Sequence, residues 1–323
     1  MSPSVLSVQF ELEMAMAHVP VLTAELIELL DLEPDSRVID CTFGAGGHAT
    51  AVTQRLGPQG LFIGCDRDPI AYGYFEELRS DLRVPARFYP GDFAESLSQM
   101  ARAGLRATHV YMDLGVSSMQ IDTVERGFSY SYDAPLDMRM DPTESLTAAD
   151  ILNSWDEGRL GRVFIEYGEE RYARRIARAV VRRRAGSPFS RTSELVDTIK
   201  EAIPTPARFG SRNPARRVFQ ALRIAVNDEL ASLRRALPEA LALLEPGGVL
   251  AAISFHSLED RIVKEFFVAQ AHPCTCPPDF PLCVCGKQPT MEIMTTRPVV
   301  PGSRELELNP RSSSAKLRAA RRL

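Results

Sequence analysis

The sequence has no long apolar run and few aromatic residues, which make up 7% of its 323 residues and include a single tryptophan. No apolar stretch approaches the ~20 residues that a membrane-spanning helix needs, so the sequence excludes a protein anchored in that way. Residues 1–17 have neither a basic start nor a continuous apolar core and do not resemble a secretory signal. We therefore predict a flexible extension over residues 1–17, a cytoplasmic location and no membrane partner.

Cysteine is also scarce, with six residues, and a cytoplasmic location excludes a disulfide framework. Cys41 and Cys65 lie at the ends of apolar segments and are expected to pack in the core. The other four crowd a proline-rich stretch: Cys274, Cys276, Cys283 and Cys285. They indicate either a structural zinc site or reduced thiols that can pair on oxidation. The C-x-C spacing is tighter than the usual spacing of zinc ligands, and both interpretations stay open.

A large excess of positive charge is absent as well, since the formal net charge is −4. Taken alone, this value disfavours a nucleic-acid partner, but the charge is unevenly distributed. Residues 159–223 hold 16 Lys/Arg and 6 Asp/Glu, a local net charge of +10, which leaves −14 for the rest of the chain. A basic block in an acidic protein predicts one face that binds a polyanion.

Short apolar strands alternate with helical stretches in the first part of the chain. The strands are predicted over residues 38–40, 61–66, 86–89 and 109–113, and a fifth over 249–254 after a turn at 244–248. This alternation predicts an α/β fold, with a parallel sheet and helices on both faces. Residues 121–221 contain no comparable strand. We therefore predict a core of residues 18–120 and 222–323, interrupted by an inserted all-helical, basic domain over 121–221.

A glycine turn follows the first predicted strand. Asp40 ends the strand, and Gly46 and Gly47 lead to His48 and a predicted helix. Glycine lets a backbone come close to a nucleoside-like ligand, because it has no side chain and tolerates positive φ. Asp66 follows Gly46 at the spacing expected of a carboxylate that binds ribose hydroxyls. The pattern predicts a nucleotide-like cofactor.

Acidic residues stand at or just after all four early strand ends: Asp40, Asp66, Asp92 and Asp113. A carboxylate ahead of the turn repels a pyrophosphate but suits a cation. Asp40 therefore favours S-adenosylmethionine, which has a sulfonium and an amino group, over NAD. A nicotinamide-dependent oxidoreductase and a non-catalytic RNA-binding protein remain as alternatives on these residues alone.

The fourth strand end is expected to face the reactive part of the cofactor. Exocyclic amines of cytosine and adenine are poor nucleophiles because their lone pair is delocalised into the ring. A carboxylate that accepts the amine hydrogen can offset this, which makes Asp113 the candidate amine acceptor. A role limited to holding the cofactor is the alternative for Asp113.

Nine segments, in order along the chain, carry a family resemblance. They read HVPVL from His18, DCTFGAGGH from Asp40, DRDP from Asp66, DLGVSS from Asp113, RGFS from Arg126, PLDMRMD from Pro135, YGEE from Tyr167, FQALRI from Phe219 and SFHSLEDR from Ser254. From His18 onward the chain resembles the MraW/RsmH family, the small-subunit rRNA cytosine-N4 methyltransferases. Several ungapped matches in order are far more specific than a single glycine motif.

The resemblance implies a class I (Rossmann-like) methyltransferase sheet and S-adenosylmethionine-dependent methylation of N4 of one cytidine in the decoding centre of bacterial 16S rRNA. The implied partner is 16S rRNA in the small ribosomal subunit, and a homodimer is one oligomeric state left open. The resemblance also implies cofactor contacts from Gly46, Gly47, His48, Asp66, Phe93, Asp113 and Gln120. Asp40 joins this set on the strength of its charge.

Arginines spaced i, i+3, i+4, i+7 and i+11 predict one basic face of a helix that binds phosphate. These residues, called the arginine stripe below, are Arg171, Arg174, Arg175, Arg178 and Arg182. Arg208, Arg212, Arg216 and Arg217 form a second predicted basic group, and the tail over residues 311–322 forms a third. Phe128 and Tyr130 are candidates for stacking on a base, with plain packing as the alternative.

Overall fold

The computed structural model describes residues 20–208, 213–276 and 284–323, which fall into two compact units. The first unit comprises Met1–Gly115 and Leu233–Leu323, and the second is Val116–Ser232. The insertion predicted over residues 121–221 lies within the second unit. The predicted extension over residues 1–17 lies outside the described residues.

The first unit is built on one seven-stranded sheet. Its strands are β1 (Arg37–Asp40), β2 (Leu61–Asp66), β3 (Ala86–Pro90), β4 (Ala107–Asp113), β5 (Leu244–Ser254), β6 (Met291–Ile293) and β7 (Lys316–Arg322). They are ordered β3-β2-β1-β4-β5-β7-β6, with β1 to β5 parallel and β7 antiparallel to both neighbours. The predicted α/β, Rossmann-like fold class is confirmed.

The described residues also form α-helices in both units. They are α1 (Thr23–Leu30), α2 (Gly47–Thr53), α3 (Ile70–Asp81), α4 (Phe93–Arg102), α5 (Ser118–Asp122), α6 (Ala148–Ser154), α7 (Glu157–Glu166), α8 (Ala173–Arg184), α9 (Thr192–Ala202), α10 (Thr205–Arg208), α11 (Arg216–Asn227), α12 (Glu229–Leu243), α13 (Ser257–Ala271) and α14 (Ser303–Leu308). Within the described ranges, no helix combines the length and the apolar character that crossing a membrane requires.

The central strands are apolar on both faces. In β4, Val110, Tyr111 and Met112 are each at most 1% exposed, because side chains on both faces of the sheet are covered. The strand order reverses at β1, with β2 and β3 on one side and β4 and β5 on the other. In open α/β sheets a crevice forms at such a reversal, beyond the carboxyl ends of the strands, and ligands bind there.

Two strands of the sheet differ from the sequence prediction. β5 begins at Leu244, so it includes residues 244–248, which were predicted as a turn. These residues are accommodated by a register shift in the pairing with β4. β7 occupies the tail predicted as a third RNA-binding group. Within it, Arg318 is 8% exposed and its Nε lies 2.6 Å from Asp260 Oδ1, while Lys316 Nζ lies 3.1 Å from Oδ2 of the same carboxylate. The prediction is wrong for Arg318, because its guanidinium is buried in an ion pair with Asp260 and is not exposed to RNA.

The second unit is helical, and its described part contains no strand beyond a single bridge between Pro135 and Arg191. Apolar faces of α6, α7, α8, α9 and α11 form one core, as the helical spacing of apolar residues requires. Large members of this core are Leu152, Phe164, Ile176, Ile199 and Leu222.

Candidate active site and arginine surface

The glycine turn after β1 is shaped by the ring of Phe43. The Phe43 carbonyl accepts the Gly46 amide at 2.9 Å, and the Phe43 amide donates to the Cys65 carbonyl at 2.9 Å. Gly46 has a φ of 78°, and a Cβ there would lie 3.0 Å from Phe43 Cζ. A Cβ on Gly47 would lie 2.7 Å from Pro20 Cγ. Packing therefore requires glycine at both positions, and α2 starts directly from this turn.

Asp40 lies beneath the turn and is 1% exposed. Its Oδ2 accepts the Tyr111 hydroxyl at 2.6 Å, and its Oδ1 accepts the Thr42 amide at 2.9 Å. Burial raises the pKa of Asp40 to about 7, although both hydrogen bonds act in the opposite direction. The Thr42 hydroxyl in turn accepts the Asp113 amide at 2.6 Å. Asp40 thus supports the strand ends from inside, and its predicted contact with a cofactor stays a prediction.

His48, in the first turn of α2, is held neutral and in one tautomer. Its Nε2 lies 2.9 Å from the Val21 carbonyl, which can only accept, so this nitrogen carries the hydrogen. Burial lowers the pKa of His48, which keeps the ring uncharged. The unprotonated Nδ1 then faces Asp113 Oδ2 at 3.6 Å. His48 and Asp113, both predicted for the cofactor site, therefore meet at the carboxyl ends of the strands.

Asp113 is the most perturbed carboxyl group of this cluster. Burial, followed by the negative charge of Glu259, raises the pKa of Asp113 to about 8. Its side chain is 26% exposed, yet Oδ1 is enclosed and no described residue donates a hydrogen bond to it. A buried acceptor without a partner is costly, so the site favours a ligand that brings an N–H group or a positive charge.

Glu259 is a site residue that the sequence analysis did not assign. It is 2% exposed, and its Oε2 accepts the amides of Phe255 and His256 at 2.9 and 3.2 Å. It lies at the start of α13, directly after β5, which pairs with β4 in register with Asp113. The available signal was the segment from Ser254 to Arg261, a polar run that follows a fifth apolar strand.

Asp66 lies against the glycine turn, at the end of β2. Its Oδ2 accepts the Gly44 amide at 2.7 Å and its Oδ1 accepts the Asp68 amide at 2.8 Å. Burial raises the pKa of Asp66 to about 6. The two backbone bonds fix the carboxylate beside the turn, and each oxygen keeps a lone pair for another donor. The predicted contact with ribose hydroxyls remains a prediction.

Asp92 does not share this character. Its Oδ1 accepts the Ala94 amide at 2.9 Å as the N-cap of α4, and its Oδ2 lies 2.6 Å from the Arg67 guanidinium. Asp92, the third of the four strand-end acids, is therefore a helix cap in an ion pair. Phe93, predicted near the adenine, is the half-buried first residue of α4.

Gln120, the remaining predicted cofactor contact, belongs to the second unit and is 4% exposed. It forms a capping box at the start of α5. Its Oε1 accepts the Ser117 amide at 3.1 Å, and its own amide donates to Ser117 Oγ at 3.3 Å. The observed role of Gln120 is to cap this helix, and its predicted role in cofactor binding is untested.

The arginine stripe is exposed along its whole length. Four of its arginines lie on α8, whose opposite face buries Ile176 and Val180, while Arg171 precedes the helix and stacks on Tyr172 at 4.6 Å. Arg178 makes one loose ion pair with Glu157, at 3.4 Å. The neighbouring Arg183 and Arg184, outside the stripe, are half-buried and bind protein groups.

The second basic group is only partly described. Arg216 and Arg217 are exposed at the start of α11, and Arg217 donates to the Glu169 carbonyl at 2.9 Å. Arg212 and the side chain of Arg208 lie outside the described residues.

The predicted stacking residues are partly buried. Phe128 and Tyr130 pack against the core of the second unit, and Tyr130 meets Phe219 edge-on with ring centroids 5.8 Å apart. Tyr132, the third aromatic of this stretch, is 61% exposed. The contacts of Phe128 and Tyr130 match the alternative of plain packing, and Tyr132 is the ring that solvent can reach.

The cysteine-rich loop brings three of its four thiols together. Sγ atoms of Cys274, Cys276 and Cys285 lie within 4.8 Å of one another, while Cys283 lies outside the described residues. Cys41 and Cys65 are at most 1% exposed, as predicted, and burial raises the pKa of both thiols well above the usual range.

Comparison with known proteins gives this site a family. The model of the MraW methylase family matches residues 15–323. Ribosomal RNA small subunit methyltransferase H of Symbiobacterium thermophilum is 51% identical over 311 residues, covering 96% of this chain and 98% of the relative. Its namesakes from Geobacter sulfurreducens and Heliobacterium modesticaldum are 50% and 49% identical over 311 and 312 residues, each covering 96% of this chain and 100% of the relative. Matches of this length and identity show that the chain belongs to the MraW methylase family.

Proposed function

We propose that this protein transfers a methyl group from S-adenosylmethionine to the exocyclic N4 of one cytidine in the decoding centre of bacterial 16S rRNA. Membership of a methylase family supports methyl transfer, and the names of the relatives refer to small-subunit ribosomal RNA. The observation that carries the proposal is Asp113, a carboxyl group with a raised pKa and an enclosed oxygen that no described residue satisfies.

The residues around the glycine turn fit a cationic cofactor without phosphates. S-adenosylmethionine supplies an activated methyl group on a positively charged sulfur. Asp113 would hold positive charge beside its carboxylate, since an opposite charge lowers a raised carboxyl pKa and so restores the ionised form. Asp66, fixed by the amides of Gly44 and Asp68, would accept hydrogen bonds from the ribose hydroxyls.

The chemistry assigned to Asp113 follows from the weakness of an exocyclic amine as a nucleophile. Ionised Asp113 accepts an N–H of the amine at Oδ1, which concentrates the nitrogen lone pair toward the methyl donor. The same oxygen takes the proton that the amine loses. A carboxyl group with an ordinary pKa near 3.8 holds a proton poorly at neutral pH, whereas burial raises the pKa of Asp113 to about 8 in the absence of a nearby positive charge. Asp113 would therefore hold the proton well once the bond between methyl group and sulfur has broken and the sulfur has lost its charge.

The arginine stripe supports a polyanionic substrate. Its guanidinium groups are exposed, and four of the five lie on α8, whose other face is anchored in the core of the second unit. Contacts of this kind recognise the phosphate backbone and position it without reading bases. The choice of a single cytidine therefore has to come from groups other than the stripe, and Tyr132 offers an exposed ring for stacking.

Mass mapping of modified nucleotides tests the proposal. Small ribosomal subunits from cells without this protein would be incubated with the protein and S-adenosylmethionine, and the 16S rRNA digested and sequenced by mass. We expect one cytidine to gain one methyl group on N4. A methyl group on ribose, on a ring carbon or on a different base would contradict the proposal, as would complete failure of transfer with the cofactor bound. Calorimetry with NAD in place of S-adenosylmethionine is the cofactor control, and no binding is expected.

A further inference from the structure

The loop between α13 and β6 is closed at its base by the protein itself. The Thr290 amide donates to the Gln270 carbonyl at 3.0 Å, and the Thr290 hydroxyl lies 2.7 Å from Gln270 Oε1. These bonds bring together the end of α13 and the start of β6. The three thiols of Cys274, Cys276 and Cys285 gather inside the closed loop, although the two cysteine pairs are separated in sequence by several residues.

The distances between the sulfur atoms suit a shared metal ion better than a disulfide. Cys274 and Cys285 have Sγ atoms 3.9 Å apart. A disulfide bond is about 2.05 Å long, so the two atoms are nearly twice too far apart for that bond. Thiolates around tetrahedral zinc lie about 2.3 Å from the metal, which places neighbouring sulfurs about 3.8 Å apart. The observed separation matches that edge.

A backbone group also points at one of the sulfurs. The Val284 amide donates to Cys276 Sγ at 3.4 Å. Hydrogen bonds to ligand atoms orient them and stabilise the thiolate form that binds metal. Gly286, directly after Cys285, has a φ of 66°, and this left-handed turn is available to glycine without strain. The three thiol donors, the distance between two of their sulfurs and the hydrogen bond from Val284 are therefore all compatible with a bound metal ion.

We propose that Cys274, Cys276 and Cys285 bind one structural Zn²⁺ ion that ties the loop between α13 and β6. Soft thiolate donors select zinc over magnesium or calcium, and three of them fill three corners of a tetrahedron. Of the two alternatives that the C-x-C spacing left open, the proposal chooses metal binding over oxidation.

The test uses the full-length protein, expressed in zinc-supplemented medium and purified without a metal-affinity step. The zinc content per chain is measured by inductively coupled plasma mass spectrometry. One zinc ion per chain is expected for the wild type, and background levels for the C274S/C285S variant. The control is C41A, which removes a buried thiol outside the loop and should retain one zinc. A zinc content well below one ion per chain in the wild type, or an unchanged zinc content in the double variant, would overturn the proposal.

Measurements on the wild type itself keep the test decisive if the double variant fails to fold. A mercurial reagent should release zinc in step with titration of the loop thiols, followed with a colorimetric zinc chelator. Replacement of zinc by Co²⁺ should give intense sulfur-to-cobalt charge-transfer bands with the d–d pattern of a tetrahedral ion. Octahedral cobalt spectra, or a Cys274–Cys285 disulfide found by peptide mass analysis of protein purified under reducing conditions, would contradict it.

Discussion

Asp113 owes its chemical character to its surroundings. Burial and the nearby Glu259 raise its pKa, and Thr42 fixes its backbone. We expect Asp113→Asn to lower kcat for methyl transfer by about 10²–10⁴-fold, the usual contribution of a proton acceptor. Affinity for S-adenosylmethionine should fall much less than kcat. Single-turnover methylation of small subunits, combined with calorimetry of cofactor binding, separates the two effects.

The matched control is Asp92→Asn. Asp92 also follows a strand, but it caps α4 and pairs with Arg67. Asparagine caps a helix about as well as aspartate, so this change mainly removes the charge paired with Arg67. It should destabilise the protein by about 1 kcal/mol or less, with little change in kcat. Equal activity losses for Asp92→Asn and Asp113→Asn would remove the special role of Asp113.

The raised carboxyl pKa also predicts how stability depends on pH. The folded state holds a proton on Asp113 up to about pH 8, whereas the unfolded chain releases it near 3.8. The folded state thus binds more protons in this window, and stability declines as pH rises from about 4 to 8. In Asp113→Asn this contribution is absent. The stability difference between the variant and the wild type should therefore grow in favour of the variant by on the order of 5 kcal/mol over this window, since each pH unit contributes about 1.4 kcal/mol.

Urea denaturation of the cofactor-free protein between pH 5 and 8.5 measures this difference. Asp40 and Asp66 also have raised pKa values and are present in both proteins. Asp66 cancels in the comparison, whereas the pKa of Asp40 loses the smaller contribution of the Asp113 charge. A difference that stays constant over the whole range would show that the pKa of Asp113 is not raised.

Among single residues, the sequence predicted the positions of those that belong to continuous motifs. It did not predict the role of a side chain whose hydrogen-bond or ion-pair partner is visible only in the structure. The turn that holds Gly46 and His48 was predictable because strand end, turn and helix start adjoin in the chain. Asp92 looked the same in sequence, since a helix cap and a ligand-binding carboxylate both follow strands. Glu259 acts on Asp113 through the pairing of β4 with β5, which no local pattern shows.

Among the elements, the glycine turn offers the sharpest test. Gly46→Ala introduces a Cβ at a φ of 78°, 3.0 Å from Phe43 Cζ. We expect a loss of about 1–3 kcal/mol in the free energy of unfolding, and weaker cofactor binding because the turn must shift. Gly73 in α3 is the control, since a Cβ there meets nothing within 4 Å. Gly73→Ala should stabilise the protein by about 0.5–1 kcal/mol. Equal effects of the two changes would contradict the assigned role of the turn.

The arginine stripe on α8 predicts a specific salt dependence. Arg174→Gln/Arg175→Gln removes two exposed charges without breaking a described ion pair. Affinity for 16S rRNA should fall, and the slope of log affinity against log salt should become shallower by about 2, since each phosphate contact contributes roughly one. The kcat at saturating RNA should be unchanged. Filter binding at several salt concentrations provides the measurement.

The control for this surface is Arg55→Gln/Arg102→Gln, which removes two exposed arginines from the first unit. The formal charge change is the same in both double variants. If the control reduces the salt slope as strongly as the stripe variant, then RNA binding depends on net charge alone and the stripe has no specific role.

The elements themselves differ in how well they could be predicted. β2 and the alternation of strands and helices were readable because apolar runs end at turns and caps. β7 was not, because its arginines and lysine resemble an RNA-binding tail. Asp260 binds Lys316 and Arg318, and Arg322 donates to the Leu241 carbonyl, so partners far apart in the chain accommodate these charges in a strand.

Over the whole molecule, the first unit is assembled from two stretches separated by the entire second unit. β4 and β5 are neighbours in the sheet although the helical insertion lies between them in sequence. The interruption was predictable because the strand pattern stops and then resumes. The position of β5 in the sheet could not be predicted, because strand order and register depend on contacts that sequence periodicity does not encode.

β7 lies between β5 and β6 in the described sheet, and this position sets an order of events during synthesis. Strands β1 to β5 can pair while residues 316–322 are still unmade, but the outer side of β5 then remains an open edge, which invites pairing with other chains. A chain stopped after residue 315 should therefore aggregate, while the full chain stays in solution, as sedimentation of the two translation products can show. Equal solubility would contradict this. Nascent chains of this protein thus need shielding until their last paired strand emerges.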